Sequence, residues 1–233
     1  MKYYYDLHIH SVLSACADVL MTPNNILNMA SLKKLDIIAV TDHNSTKQLS
    51  VIHEIAQSYD FLIIPGVEIS VKEGYHVLCY FKHLADALTF DHYLVEHANP
   101  LYYDEEHYGE QILTDLYDEP VDYVHYLLSN PLNKTLNEIV EALKPYDHLL
   151  FYAHVDRDRQ SGLSEVHQTP LDGIELSKKA PPDFIENHDL SAYRCLYNSD
   201  SHQLIDLFER GEKNHIELPE LSIDAFFEAM RHG

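Results

Sequence analysis

Basic residues are scarce in this chain: 16 lysines and arginines stand against 38 aspartates and glutamates, a formal charge of -22 over 233 residues. A surface this acidic repels a phosphate backbone, whereas polynucleotide binders draw most of their affinity from a basic stripe. Long DNA or RNA is therefore disfavoured as a partner, and small molecules or short fragments are favoured. A buried group of cations can still attract an anion whatever the outer surface carries. Cysteine is equally sparse, with only Cys16, Cys79 and Cys195. Their odd number and wide spacing argue against a disulfide framework and a paired-thiolate zinc site, and suit a reduced cytoplasmic compartment. No run of about 18 apolar residues is present, so no helical membrane span is expected. A secretory leader is not expected either, because Met1 and Lys2 lead straight into Tyr3, Tyr4, Tyr5 and Asp6. Internal repeats and low-complexity stretches are also lacking.

What is present is a core-forming composition, 45% hydrophobic and 11% aromatic, and 17 histidines. One domain over residues 1–233 is the expectation. Short β-branched or aromatic runs predict strands at 3–9, 36–40, 61–69 and 75–81, and again at 149–153, 173–176, 194–198 and 216–218. Helices are expected over 23–34, with Thr22 as cap and Pro23 in the first turn, over 46–58, and over 222–230. This alternation implies an α/β architecture with a mostly parallel sheet, for which a barrel is the usual closure. Residues 84–145 differ. Helical periodicity at 85–96, 110–117, 123–128 and 136–143 predicts a helical insertion over one face.

The polar residues of interest fall where strands are expected to end. His8 and His10 are two apart, so on a strand both face the same way and can grip one metal. The same placement recurs at His43, Glu68, His154, Asp200 and His202. In a parallel α/β barrel all strand C-termini open on one face, where active sites are built. Imidazole with carboxylate suits Zn, Mn or Fe. Several such ions about 3.5–4 Å apart would activate a water and clamp a phosphoryl group. Arg157 and Arg159 follow His154 closely and are candidates for substrate-phosphate binding, the plainer reading being salt bridges to the abundant acids. Lys178 and Lys179 read as a solvated pair.

The segments DLHIHS from residue 6, TDHN from 41, PGVEIS from 65, HVLCYF from 76, AHVDR from 153 and NSDSH from 198 together resemble the polymerase-and-histidinol-phosphatase (PHP) phosphoesterase family. The resemblance implies a distorted (β/α)7 barrel and a cluster of two or three divalent ions, and it implies hydrolysis of a small phosphorylated metabolite or nucleotide by activated water. Carried over by motif, the implied ligands are His8, His10, His43, Glu68, His76, His154, Asp200 and His202, with Glu68 bridging. Glu68, Asp200 and Arg157 are the implied catalytic groups. The chain departs from the commoner pattern after its first motif, where many members place a further His or Asp. Asp18 is the candidate there, as a hard carboxylate like its neighbours, and Cys16 is the alternative. Two rival functions stay open: a 3'-5' exonuclease acting on short oligonucleotides, and a non-catalytic metal-binding regulatory domain. Substrate and oligomeric state are not legible.

Overall fold

The Tyr-rich N-terminus forms a strand whose last five residues are all buried. The computed structural model describes residues 1–101 and 103–232. The chain opens with β1 (Lys2–Ile9), α1 (Pro23–Leu32), β2 (Ile37–Val40), α2 (Leu49–Ala56) and β3 (Leu62–Ile63). A hairpin of β4 (Gly66–Ser70) and β5 (His76–Phe81) follows, then α3 (Leu84–Glu96) and the single turn α4 (Glu105–Tyr108). Next come a second hairpin, β6 (Ile112–Thr114) with β7 (Pro120–Tyr123), and α5 (Leu136–Leu143). The last third carries β8 (His148–Tyr152), β9 (Gly173–Ser177), the short α6 (Phe184–Asn187), β10 (Arg194–Asn198), β11 (His215–Glu217) and α7 (Ile223–His232).

Two larger sheets form, ordered β11-β1-β2-β3 and β10-β9-β8-β5-β4. Parallel pairs are β1 with β2, β2 with β3, β8 with β9, and β9 with β10. Antiparallel pairs are β1 with β11, β4 with β5, and β5 with β8. The architecture is thus mixed α/β, and the expected mostly parallel sheet is corrected. The link between β4 and β5 is too short for the crossover a parallel pair requires, so the chain reverses there. Isolated parallel bridges, Ile9 to Ser201 and His43 to Glu68, connect the two sheets.

Residues 84–145 are also less helical than the periodicity predicts. The helices at each end form, and α5 carries a capping box between Thr135 and Glu138. Between them stands the β6–β7 hairpin instead of helices at 110–117 and 123–128. Its turn is built by the Asp115 carboxylate, which accepts the N–H groups of Tyr117 and Glu119 at 2.8 and 3.0 Å. A local side-chain acceptor of this kind outcompetes a helix for the backbone donors. Thr22 does precede α1, but its hydroxyl donates to Asp118 at 2.6 Å rather than capping the helix.

Two cores hold the fold. Helices α1, α2, α3 and α5 pack outside the strands, burying Ile26, Ile52, Phe90 and Ile139. A second core lies between the sheets, where Tyr5, Leu7, Leu78, Tyr80, Leu149 and Phe151 meet under Phe226 and Phe227 of α7. Alternation along β5 and β8 sends successive residues to the two cores. Each such side chain contributes about 1.5–3 kcal/mol by leaving water. Gly173 begins β9 where a Cβ would collide with the Arg194 carbonyl and the Phe151 ring. Among the described residues no helix is long and apolar enough to cross a membrane.

Candidate metal centre

The sheet edges bring the sequence-predicted polar residues together. His8 lies in β1 and His10 just after it, His43 follows β2, Glu68 is central in β4, His154 follows β8, and Asp200 and His202 follow β10. His76 opens β5, and because β5 runs antiparallel to both neighbours its first residue sits at the edge where β4 and β8 end. Three residues here hold left-handed backbone conformations uncommon outside glycine: Asn44 (φ 44), His154 (φ 31) and Asp200 (φ 51). Asn44 is braced on both sides, donating to the carbonyls of Leu128 and Asn130 at 2.6 and 2.9 Å and accepting from the Ser70 N–H at 2.9 Å.

Glu68 is the hub. Its Oε1 lies 2.8 Å from His76 Nδ1, 3.1 Å from His154 Nε2 and 3.4 Å from His8 Nε2. Its Oε2 lies 2.8 Å from His43 Nδ1 and 3.3 Å from His10 Nε2. Asp200 Oδ1 sits 3.2 Å from His8 Nε2 and 3.1 Å from His10 Nε2. His202 stacks on His10 with ring centroids 4.4 Å apart. Three groups have donor atoms near enough to share an ion: His8 with His10 and Asp200, His10 with His43 and His202, and His43 with Glu68 and His76.

The far sides of the first two rings are fixed by residues that sequence reasoning overlooked. Glu175, 1% exposed, accepts from His8 Nδ1 at 2.9 Å, from Asn198 Nδ2 at 2.8 Å and from the N–H of His154 at 2.8 Å. Behind His10, Nδ1 lies 3.1 Å from the Ser14 hydroxyl, which in turn donates to Asp42 at 2.8 Å. Asp42 also accepts the N–H and hydroxyl of Ser11, at 2.7 and 2.6 Å. Two signals could have found these residues: Glu175 is the one acid in an otherwise apolar strand, and Asp42 lies inside the TDHN segment.

This wiring decides what the cluster can hold. Imidazoles that donate through Nδ1 present bare lone pairs at Nε2, and the Nε2 atoms of His8 and His10 are 3.1 Å apart. His43 Nδ1 and Glu68 Oε2 lie 2.8 Å apart, yet both lack a hydrogen-bond partner. Lone pairs converging in a buried site are held together by cations, and a nitrogen and carboxylate set fits divalent transition metals. Burial opposes ionisation of Glu68, but His76, His8 and His43 outweigh it and hold its carboxyl well below the usual carboxylate range. Burial lowers His43 to about 3 and His202 to about 4, whereas against burial the Asp200 and Glu68 carboxylates raise His10 to about 9, and Glu175, Asp200 and Glu68 raise His8, so ions bound there would displace protons from these two rings.

The remaining sequence candidates fall outside this cluster. Asp18 is exposed, and its carboxylate accepts the N–H of Leu20 at 2.9 Å in a local turn while its own N–H donates to the His202 carbonyl. It fastens the loop and joins none of the three groups. Cys16 lines the same small cavity as Glu68, His76 and His154, with its thiol raised to about 12 by lost hydration and by Glu68 and Asp200. Arg157 pairs with Asp200 Oδ2 at 2.5 Å. Arg159 is exposed and lines neither that cavity nor the larger one beside it.

The model of the PHP domain family matches residues 6–170, and the chain belongs to that family. Among solved structures it is similar to the lesion-specific endonuclease PfuEndoQ of Pyrococcus furiosus, with 22% identity and a TM-score of 0.71 over 99% of this chain and 56% of that one. An Endonuclease Q complex with a 27-mer duplex carrying an abasic lesion gives 19% identity and a TM-score of 0.64, with the same coverage. A two-domain protein of Bacteroides vulgatus containing a PHP-like metal-dependent phosphoesterase gives 20% and 0.57, over 99% of this chain and 63% of that one. These likenesses establish the fold. An uncharacterized protein of Methanocaldococcus jannaschii is 30% identical over 77 residues, 30% of this chain. The chain thus spans 45% of that curated relative and 56% of the Pyrococcus furiosus enzyme.

Proposed function

We propose that this chain is a phosphoric ester hydrolase that uses two or three divalent ions of the Zn, Mn or Fe kind. The observation that carries this reading is the Glu68 carboxylate, 2.8 to 3.4 Å from five imidazole nitrogens, with its Oε2 and the facing His43 Nδ1 buried and without a hydrogen-bond partner. His8, His10, His43, Glu68, His76, His154, Asp200 and His202 would hold the metals, and Asp18 is left out of the set. Bound there, the metals would supply Lewis acidity and an activated water. Glu68, whose two oxygens face different imidazoles, would supply negative charge to the bound ions. Asp200 positions the Arg157 guanidinium, which turns toward phosphate oxygens and stabilises charge as it develops. Arg159 is at most a second phosphate contact from the loop rim. In this reading the two sheets would count as one distorted (β/α)7 barrel, which the Ile9–Ser201 and His43–Glu68 bridges between them support. The chain is one domain, with residues 84–145 inserted over the site.

The test is to strip the protein of metal, reload it with Mn, Zn or Fe, and compare a phosphomonoester chromogen, its bis-ester and a 3'-labelled oligonucleotide. Metal-restored turnover of the monoester supports the reading, and absence of turnover on any ester with full metal loading overturns it in favour of a regulatory domain. Superposition of 99% of the chain on Endonuclease Q favours a second reading, cleavage of nucleic acid at a damaged site. An abasic duplex belongs in the same comparison. The charge of -22 weighs against it.

A further inference from the structure

A second cavity of about 530 Å³ adjoins the small metal-lined one of about 180 Å³, and Arg157 and Asp200 line both. The small cavity suits a phosphoryl group, so the rest of an ester held there extends into the larger one. Among the described residues that cavity is walled by aspartate, arginine, lysine and serine, with no aromatic ring and no wholly apolar side chain. Resting on the phosphoesterase reading, we propose that this cavity receives the leaving group and selects an aliphatic, hydroxyl-bearing one: the substrate is a sugar or polyol phosphate rather than a nucleotide.

Three features select that chemistry. A nucleobase needs a stacking platform, and single-strand binders provide aromatic rings for it. Here a base would find no ring to stack on, and its two broad apolar faces would strip water from charged groups without hydrogen-bonding them. A second phosphate is disfavoured by charge, since four aspartates, Asp156, Asp158, Asp200 and Asp206, outnumber the cations Arg157, Lys178 and Lys179. Most of these groups are already engaged. Asp156 accepts the N–H and hydroxyl of Ser177 at 2.7 and 2.6 Å, Lys178 lies 3.7 Å from Asp206, and the Ser199 hydroxyl donates to Asp6 at 2.6 Å. Among the described residues the side chains of Lys179 and Asp158 have no ion-pair partner, which leaves an ammonium donor and a carboxylate acceptor facing one space. Neighbouring hydroxyls, each both donor and acceptor, satisfy such a pair together.

Ribose 5-phosphate and adenosine 5'-monophosphate test this, because both release a primary alcohol and differ in the base. The metal-loaded protein is expected to favour ribose 5-phosphate in kcat/KM by about tenfold or more, the worth of one hydrogen bond to a charged group. Lys179→Met and Asp158→Asn should each lower that ratio with metal content unchanged. Equal or reversed preference in the wild type overturns the proposal, as does a ratio that neither variant moves. Absence of turnover on either ester, and on the chromogen, would instead sink the phosphoesterase reading beneath it.

Discussion

At the scale of the residue, the two carboxylates and the arginine that meet at the cluster have separable jobs. Glu68→Gln keeps the size of the side chain but removes the charge around which the histidines gather, so metal content and activity should fall together. Arg157→Ala should keep its metal and lose about 2–4 kcal/mol of transition-state stabilisation, typical of one preorganised contact. Elemental analysis beside kcat/KM separates the two; Glu68→Gln with full metal, or Arg157→Ala without it, refutes the division. Glu175 acts one layer further back. Three donors converge on its oxygens, and glutamine offers one oxygen and an NH2 group, so at least one donor loses its acceptor. Metal affinity of Glu175→Gln should drop about 10–100-fold, as for other groups that orient ligands from behind. An unchanged titration would show that His8 needs no such support.

At the scale of the element, α2 carries a built-in acid sensitivity. Burial lowers His53 from 6.5 to about 4, and its Nε2 is buried with no partner. Between those pH values the unfolded chain binds a proton that the folded one refuses. The contribution to stability is therefore complete above 6.5 and is lost as pH falls toward 4, at up to about 1.4 kcal/mol per pH unit. Urea unfolding of the chelated protein should show a shallower acid loss for His53→Leu than for wild type; identical slopes would refute the assignment. The reversed strand β5 has a different importance. It carries His76 at its first residue, so a parallel β5 would deliver Phe81 to the site instead. The HVLCYF segment marks the residue, while its delivery depends on a turn and a strand partner that the segment itself does not contain.

At the scale of the whole molecule, metal and fold should be coupled, since the candidate ligands come from both sheets. Chelation should lower the melting temperature, and reloading should restore it, with about 2.7 kcal/mol per site at free metal 100-fold above Kd. Acidification below about pH 6 should release the metal, because protonated imidazole cannot bind it. A melting curve indifferent to chelator would show that the cluster folds without ions. The acidic surface belongs to this scale too, as it disfavours polyanions approaching from outside, while a metal-loaded centre would attract a single phosphate.

His8, His10, His43, Glu68, Asp200 and His202 were legible because each sits at or near the end of an apolar run, and strand ends are set by local pattern. The α/β class followed from the same runs, and α3 and α5 from their periodicity. The placement of Asp18 was not legible because spacing along a loop says nothing of direction, and its carboxylate faces the backbone of Leu20. The hairpin at 112–123 escaped because Asp115 captures N–H groups that periodicity assigns to a helix. The sequence by itself determined which side chains are candidate metal ligands and that most of them lie at or near strand ends, since both depend on residue type and near neighbours. Only the tertiary structure decided that β5 runs backward, that Glu175 and Asp42 stand behind the histidines, and that a polar cavity adjoins the centre. Those outcomes depend on contacts between segments far apart in the chain, such as the 167 residues from His8 to Glu175 and the 193 from Asp6 to Ser199, which no local pattern encodes.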